Sequence, residues 1–423
     1  MTERRSEPAS ATARPDDRRH VACLLYPAYG HTLPALEVVA ELVRRGNRVT
    51  CFVGDLVADS VAATGAEVVP YGVGLSAAPP LVDPTVDEMA EASLRLVVET
   101  SAACDAVAER LADDVPDVLV CDIVLHLCGG VLARGWGRPM VRLLPTFASN
   151  EHFSLQERLS VGADQIDFAH PAMREVENRL TSFRAAHGLS TDGQKDFFPG
   201  DTELSLVFIP RRFQCRGETF GADHAFVGPC VPQASPRPPE TRWRPPGDGL
   251  PIVLISLGTV DNDRPEFFRA CVAAFEGLPW HVVMTIGDKI GVAEVGPLPP
   301  NVEVRSWIPQ AEVLAHAAVF VCPGGMGSIM GSLAFEVPLV VVPRHPEQYA
   351  NAERVAELGL GLLLPAAEAT GETLRGAVLA AAEDTSTRDR LREMRGELER
   401  AGGARAAADR VEALAAASVV EPA

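Results

Sequence analysis

His31 and Asp122 are the two side chains in this 423-residue chain whose types and settings best suit moving a proton. His31 lies in 26-YPAYGHTLPALEVVAELVRRG-46, in the loop after an apolar run and just where a helical pattern begins, with Pro34 suited to a first turn. Imidazole titrates near neutral pH, so a histidine there can serve as general base. Asp122 closes the apolar run of 116-PDVLVCDIVLHLCGG-130. If both runs are strands of one open sheet, the two residues share its carboxyl edge, where ligands of such sheets collect. A carboxylate bonded to one imidazole nitrogen fixes the tautomer and stabilises the imidazolium. Each residue also has a plainer reading: His31 as a capping or exposed loop residue, Asp122 as the N-cap of the next helix. His126, one turn past Asp122, is a weaker competitor. No GxSxG nucleophile elbow accompanies the pair, so the chemistry implied is deprotonation of a substrate rather than formation of an acyl-enzyme.

A second group of residues suits a phosphorylated ligand. In 320-FVCPGGMGSIMGSL-333 a strand-like run ends in Pro-Gly-Gly and a helix-like run follows, the form of a phosphate cradle without His, Lys or Arg. In 252-IVLISLGTVDND-263 a strand runs into Gly258-Thr259, whose amides and hydroxyl can meet phosphate oxygens. The Asp261-Asn262-Asp263 triplet has the DxD form of some metal-dependent nucleotide-sugar enzymes, but a solvated turn is the favoured reading. Trp307, Ile308 and Gln310 flank Pro309 directly after another strand, where an aromatic face beside free amides can support a nucleobase. A dinucleotide fingerprint is disfavoured, since Gly325-Met326-Gly327 is followed by Met330 where a final small residue belongs.

The elements that must position these residues are legible as alternating short apolar runs and amphipathic stretches. Strands are expected over 20–26, 48–53, 117–121 and 140–144, with a helix over 33–45. The pattern pauses in 229–251, rich in proline and without periodicity. It restarts with strands over 252–257, 281–285, 302–305, 319–322 and 339–342. Two doubly wound Rossmann-like α/β domains facing across a cleft are expected. They run over 20–230 and 251–400, joined by a Pro-rich linker over 231–250, after a disordered leader over 1–19 and before a terminal helix and tail over 401–423. The stretch 385–416, without proline, reads as helical. A net charge of −19 argues against nucleic acid and anionic membrane surfaces as partners. The nine scattered cysteines read as free thiols of a reducing cytoplasm, and neither a signal peptide nor a membrane span is expected.

Taken in order, these pieces resemble the GT-B glycosyltransferases of family 1, and most of all the bacterial macrolide and natural-product enzymes. The matching stretches are YGHTLPALEVVAELVRRGNRVT, LSLVFIPRRFQ with FVGP, SLGT, VRSWIPQAEVLAHAAVFV, GGMGS and VPLVVVPRHPEQYANAERVAELGLG, together spanning roughly residues 20 to 365. The resemblance implies an N-terminal acceptor domain and a C-terminal nucleotide-sugar donor domain. It makes His31 the base, oriented by Asp122, and stacks Trp307 on a pyrimidine, with Gln310 near the ribose. It places the diphosphate on Ser328 and the amides of Met326 and Gly327, with Gly258, Thr259, Ile308 and Gly325 also among the donor-binding residues, and the sugar hydroxyls on Glu347 and Gln348. No metal or cofactor is expected beyond a UDP- or dTDP-linked sugar.

Two positions depart from the family pattern. Pro323 stands where a phosphate-contacting His is usual, and Gly331 where a ribose-bonding Glu is usual; Glu336-Val337-Pro338 replaces Gly-Val-Pro. Loss of the two side-chain contacts would cost about 2.5–4 kcal/mol, or two to three decades of donor affinity. The expected protein is an inverting hexosyltransferase, a monomer or homodimer, acting on a hydroxyl of a small hydrophobic natural product in antibiotic tailoring or inactivation. The second reading, motivated by Pro323 and Gly331, is a catalytically silent homologue that binds and activates a partner glycosyltransferase.

Overall fold

Apolar runs too short for helices and buried on both faces assemble into two all-parallel sheets in the computed structural model, which describes residues 18–71, 85–159, 169–188, 204–230, 242–258 and 262–417. The expected leader up to residue 17, the linker stretch 231–241, Thr259 and Asp261 lie outside the described residues, as do parts of 72–200.

The first sheet contains β1 (His20–Leu24), β2 (Arg48–Val53), β3 (Glu67–Pro70), β4 (Val118–Asp122), β5 (Met140–Leu144), β6 (Leu204–Val207) and β7 (His224–Phe226), in the order β3-β2-β1-β4-β5-β6-β7. Its helices are α1 (Tyr29–Arg44), α2 (Asp55–Ala62), α3 (Val86–Arg110), α4 (His126–Trp136), α5 (Leu155–Leu159) and α6 (Pro171–Ala186). The second sheet contains β8 (Ile252–Ser256), β9 (His281–Thr285), β10 (Val302–Arg305), β11 (Ala317–Cys322), β12 (Leu339–Val341) and β13 (Gly361–Leu363), ordered β10-β9-β8-β11-β12-β13. Its helices are α7 (Pro265–Phe275), α8 (Val292–Val295), α9 (Gln310–Leu314), α10 (Met326–Ala334), α11 (Pro346–Glu357), α12 (Gly371–Glu383) and α13 (Thr385–Ala401), and α14 (Gly403–Ala417) ends the described chain.

Side-chain alternation along each strand divides the core between the two sheet faces. In β1, Val21 and Cys23 join the layer formed by Val38, Val39 and Leu42 of α1, while Ala22 and Leu24 join that of Cys104 and Val107 of α3. In β8, Val253 and Ile255 pack with Phe268 and Leu374, and Ile252 and Leu254 with Ile329 and Leu391. That last layer continues into the first half through Phe147 and Phe213, whose rings stack at 5.8 Å, so the halves share apolar contact.

One boundary is corrected. Helix α1 begins at Tyr29, not Leu33, so His31 sits in its first turn and Pro34 inside it. The proline forfeits only the bond to the Gly30 carbonyl, four residues back, where the helix is still starting. The stretch 385–416 is helical as expected, in two helices broken at Gly402 and Gly403, whose φ values of 82° and 55° are left-handed. The break sends α14 back onto the first half, where Ala407, Ala408, Val411 and Ala415 are buried against α1 and its sheet. All nine cysteines are buried and unpaired. No helix among the described residues is long and apolar enough to cross a membrane.

Candidate active site

Both strand orders reverse beside a central strand, between β1 and β4 in one sheet and between β8 and β11 in the other. A crevice opens at the carboxyl ends of strands at such a switch point. The sequence-predicted residues fall there: His31 after β1, Asp122 at the end of β4, Gly258 after β8 and Gly325 after β11. Helices α1 and α10, which follow the first strand of one crossing and the second of the other, pack against each other.

His31 and Asp122 meet. The imidazole Nδ1 lies 2.9 Å from Asp122 Oδ2 and 3.1 Å from Oδ1. Because a carboxylate only accepts, Nδ1 carries the proton and Nε2 is left basic. The Asp122 side chain is 1% exposed and that of His31 29%, so the carboxylate is sealed beneath a ring that reaches solvent. Asp122 Oδ1 also accepts the Val124 amide at 2.9 Å, so the orienting and N-capping roles coexist in one side chain. Burial tends to lower the His31 pKa, but the Asp122 charge and hydrogen bond, with the Glu347 charge, outweigh it and raise the pKa above 6.5. Glu347, in the first turn of α11, thus acts on His31 from the opposite half. His126 stays apart: it is buried, with Nδ1 donating to the Ile123 carbonyl at 2.7 Å.

Two side chains that sequence reasoning did not single out hold this geometry. Thr32 is fully buried and donates from Oγ1 to the Tyr26 carbonyl at 2.8 Å, tying the start of α1 to the end of the β1 segment. The Tyr26 ring meets the His31 ring edge-on, with centroids 5.4 Å apart. Asn351 on α11 is fully buried and donates Nδ2 to the Gly324 carbonyl at 2.9 Å, fixing the turn before α10. A polar residue one turn past Gln348 on the apolar face of α11 was the available signal.

The second group forms a cradle. Gly325 is the residue before α10, and the amides of Met326 and Gly327 open that helix, where first-turn N–H groups point outward and the dipole favours an anion. Ser328 is half-buried, Gly327 exposed and the Met326 side chain buried, leaving Met326 its backbone for a ligand. Gly324 has φ 95°, and a Cβ there would come within 2.8 Å of Val341, so only glycine fits. Gly258 is also left-handed, with φ 77°. Trp307 is 54% exposed, whereas Ile308 is buried and offers only its backbone. Gln348 Oε1 accepts the Arg344 amide at 2.9 Å in the capping of α11, which leaves its NH2 group to donate to a ligand. Asn262 is buried rather than solvated and donates to the Gly258 carbonyl at 3.0 Å, so the middle of the acidic triplet braces a turn.

The departures have visible surroundings. Pro323 is buried with its ring toward Gly258, 3.9 Å from where a Cβ would stand there. Gln310 Nε2 lies 3.2 Å from the Cβ position of Gly331, so the amide fills space that a larger residue at 331 would claim. Glu336 takes φ 57° where the family pattern has glycine, a left-handed backbone costing about 1–2 kcal/mol.

Comparison with known proteins agrees with this architecture. Residues 271–414 match the family described as erythromycin biosynthesis protein CIII-like, C-terminal domain. The chain is 38% identical to demethyllactenocin mycarosyltransferase of Streptomyces fradiae over 93% of its own length and 86% of that protein's. It is 35% identical to oleandomycin glycosyltransferase of Streptomyces antibioticus, over 93% and 90% respectively. Among solved structures it is similar to CalG4, the calicheamicin glycosyltransferase, with a TM-score of 0.83 and 39% identity, covering 96% of this chain and all of that one.

Proposed function

The chain belongs to the GT-B glycosyltransferases that include the macrolide enzymes, and from that premise we propose that it moves a hexose, with inversion, from UDP or dTDP to a hydroxyl of a small hydrophobic natural product. The observation that carries the reading is the His31–Asp122 pair, bonded at 2.9 Å at one switch point, with His31 on a helix that packs on α10 and within reach of the Glu347 charge at the start of α11.

In this mechanism Nε2 of His31 takes the acceptor hydroxyl proton as its oxygen attacks the anomeric carbon. The bond from that carbon to the diphosphate oxygen breaks, and the electron pair leaves with the nucleoside diphosphate. Asp122 stabilises the imidazolium that results. Attack opposite the departing diphosphate inverts the anomeric carbon in one displacement. The Met326 and Gly327 amides, with the α10 dipole and Ser328, take the charge that develops on the diphosphate. Trp307 stacks on the pyrimidine, Gln310 reaches the ribose, and Glu347 and Gln348 hold sugar hydroxyls. The route uses no metal. Antibiotic tailoring or inactivation is the role consistent with the acceptors named for the relatives, which are macrolides and related products. The silent, partner-activating reading gains no support, since its motive was the loss of two side chains and the proton-moving pair is assembled.

The test is transfer from UDP- and dTDP-hexoses to a panel of polyketide, flavonoid and other phenolic acceptors. Product anomeric configuration is read by coupling constants, and EDTA is expected to leave the rate unchanged. His31→Ala is expected to lower kcat by on the order of 10²–10⁴-fold with the fold intact. Unchanged turnover in that variant removes the base assignment, and a retained configuration removes the single displacement. Failure of wild-type protein to bind either nucleotide at millimolar concentration in calorimetry overturns the enzyme reading.

A further inference from the structure

The exposed ring of Trp307 sits on a short loop, 306–309, between β10 and α9, and burial of its neighbour Ile308 anchors the loop at its middle. Its two ends are clamped by a residue from elsewhere. Trp243, in the segment joining the two halves, donates its backbone N–H to Glu312 Oε2 at 2.7 Å and its indole Nε1–H to Glu303 Oε2 at 3.1 Å. Glu303 belongs to β10 and precedes the loop; Glu312 belongs to α9 and follows it. The half-buried indole also packs on the apolar layer shared by the halves, with its ring 6.1 Å from that of His316. Hydrogen bonds to carboxylates are among the stronger ones available, and two from one residue fix the separation of their acceptors.

We infer that Trp243 is a positioning residue for the donor nucleotide: it clips β10 to α9 and so holds Trp307 and Gln310 in the geometry that receives base and ribose. The inference rests on the reading of those two residues as the nucleoside platform. It also gives the interdomain segment a part in donor binding.

Trp243→Phe keeps the ring and the backbone donor and removes the indole N–H. It is expected to raise the KM for UDP- or dTDP-hexose, and the Kd of UDP or dTDP by calorimetry, roughly three- to tenfold. The kcat and the acceptor KM stay at wild-type values. In a Trp307→Ala background, which itself weakens nucleotide binding, Trp243→Phe adds nothing further, because the platform it positions is already gone. Should Trp243→Phe not fold, Glu312→Gln carries the same expectation with a smaller rise. Donor KM unchanged by both substitutions, in a protein where Trp307→Ala does weaken binding, overturns the clip and leaves the platform standing. No effect of Trp307→Ala overturns platform and clip together. Parallel losses in kcat and acceptor KM mark Trp243 as a general structural residue and also overturn the proposal.

Discussion

His31 is held between two opposing influences, a partly desolvated setting that favours the neutral ring and two carboxylates that favour the imidazolium. The carboxylates prevail, so its pKa stands above 6.5. The stabilisation from the charged pair is fully present below the unfolded value of 6.5 and is lost as pH rises through the higher folded value. Activity runs the other way, because only neutral imidazole can accept the acceptor's proton. The ascending limb of kcat/KM against pH is therefore expected above 6.5. Asp122→Asn removes the larger raising influence and leaves burial, which lowers the pKa, so the limb is expected to move to lower pH. The maximal rate should fall by on the order of 10²–10⁴-fold, since an amide no longer enforces the Nδ1–H tautomer. A pH–rate series on both proteins checks this. A limb that stays in place in Asp122→Asn would show that the observed titration belongs to another group.

Elements differ in how openly the sequence announces them, and the difference is one of length and burial. Strands β2, β5 and β9 fall where the apolar runs predict, because strands buried on both faces are largely apolar, and β10 falls as predicted although it is a half-exposed edge strand carrying Glu303 and Arg305. Strands β7 and β13 are three residues each, at sheet edges, where too few positions exist to show a pattern. The break between α13 and α14 is two consecutive glycines in an otherwise helical composition, and only tertiary contact decides that α14 turns back onto α1. The meeting of His31 and Asp122 was legible from strand ends alone, but Thr32 and Asn351 were not, because their partners are backbone carbonyls. The element with most to test is α10. The resemblance suggests that Gly331→Glu restores a ribose contact, yet the new Cβ would stand 3.2 Å from Gln310 Nε2. Gly331→Glu is therefore expected to bind UDP and dTDP no more tightly than wild type. Gln310→Ala alone is expected to weaken binding by losing the ribose contact, and adding Gly331→Glu to it should recover affinity, because the crowding is gone. Calorimetric titration decides; a gain of tenfold or more in Gly331→Glu alone would mean that Gln310 yields its place freely.

Across the whole molecule, the two halves are joined by side chains of α11. Arg354 donates Nε to the Phe213 carbonyl at 2.8 Å and Nη2 to the Arg212 carbonyl at 2.8 Å and the Gln214 carbonyl at 3.3 Å. Its neighbour Glu353 pairs with Arg158 of α5 at 2.5 Å. The same helix carries Glu347 at its start, and the Glu347 charge is one of the influences that raise the His31 pKa. On the proposed function, the contacts toward one end of α11 are therefore expected to help set how far Glu347 at its other end lies from His31. Arg354→Ala leaves backbone carbonyls at the seam without their donor. A loss of about 1–3 kcal/mol of stability is expected, since each carbonyl can turn to water as the seam opens. With Glu347 farther from His31, the ascending limb of the pH–rate profile should move toward lower pH although neither residue has changed. The KM values of both substrates should rise together, unlike the donor-selective change expected of Trp243→Phe. Solution scattering on Arg354→Ala should show a larger radius of gyration, and a wild-type radius with a wild-type pH profile would place the control of closure elsewhere.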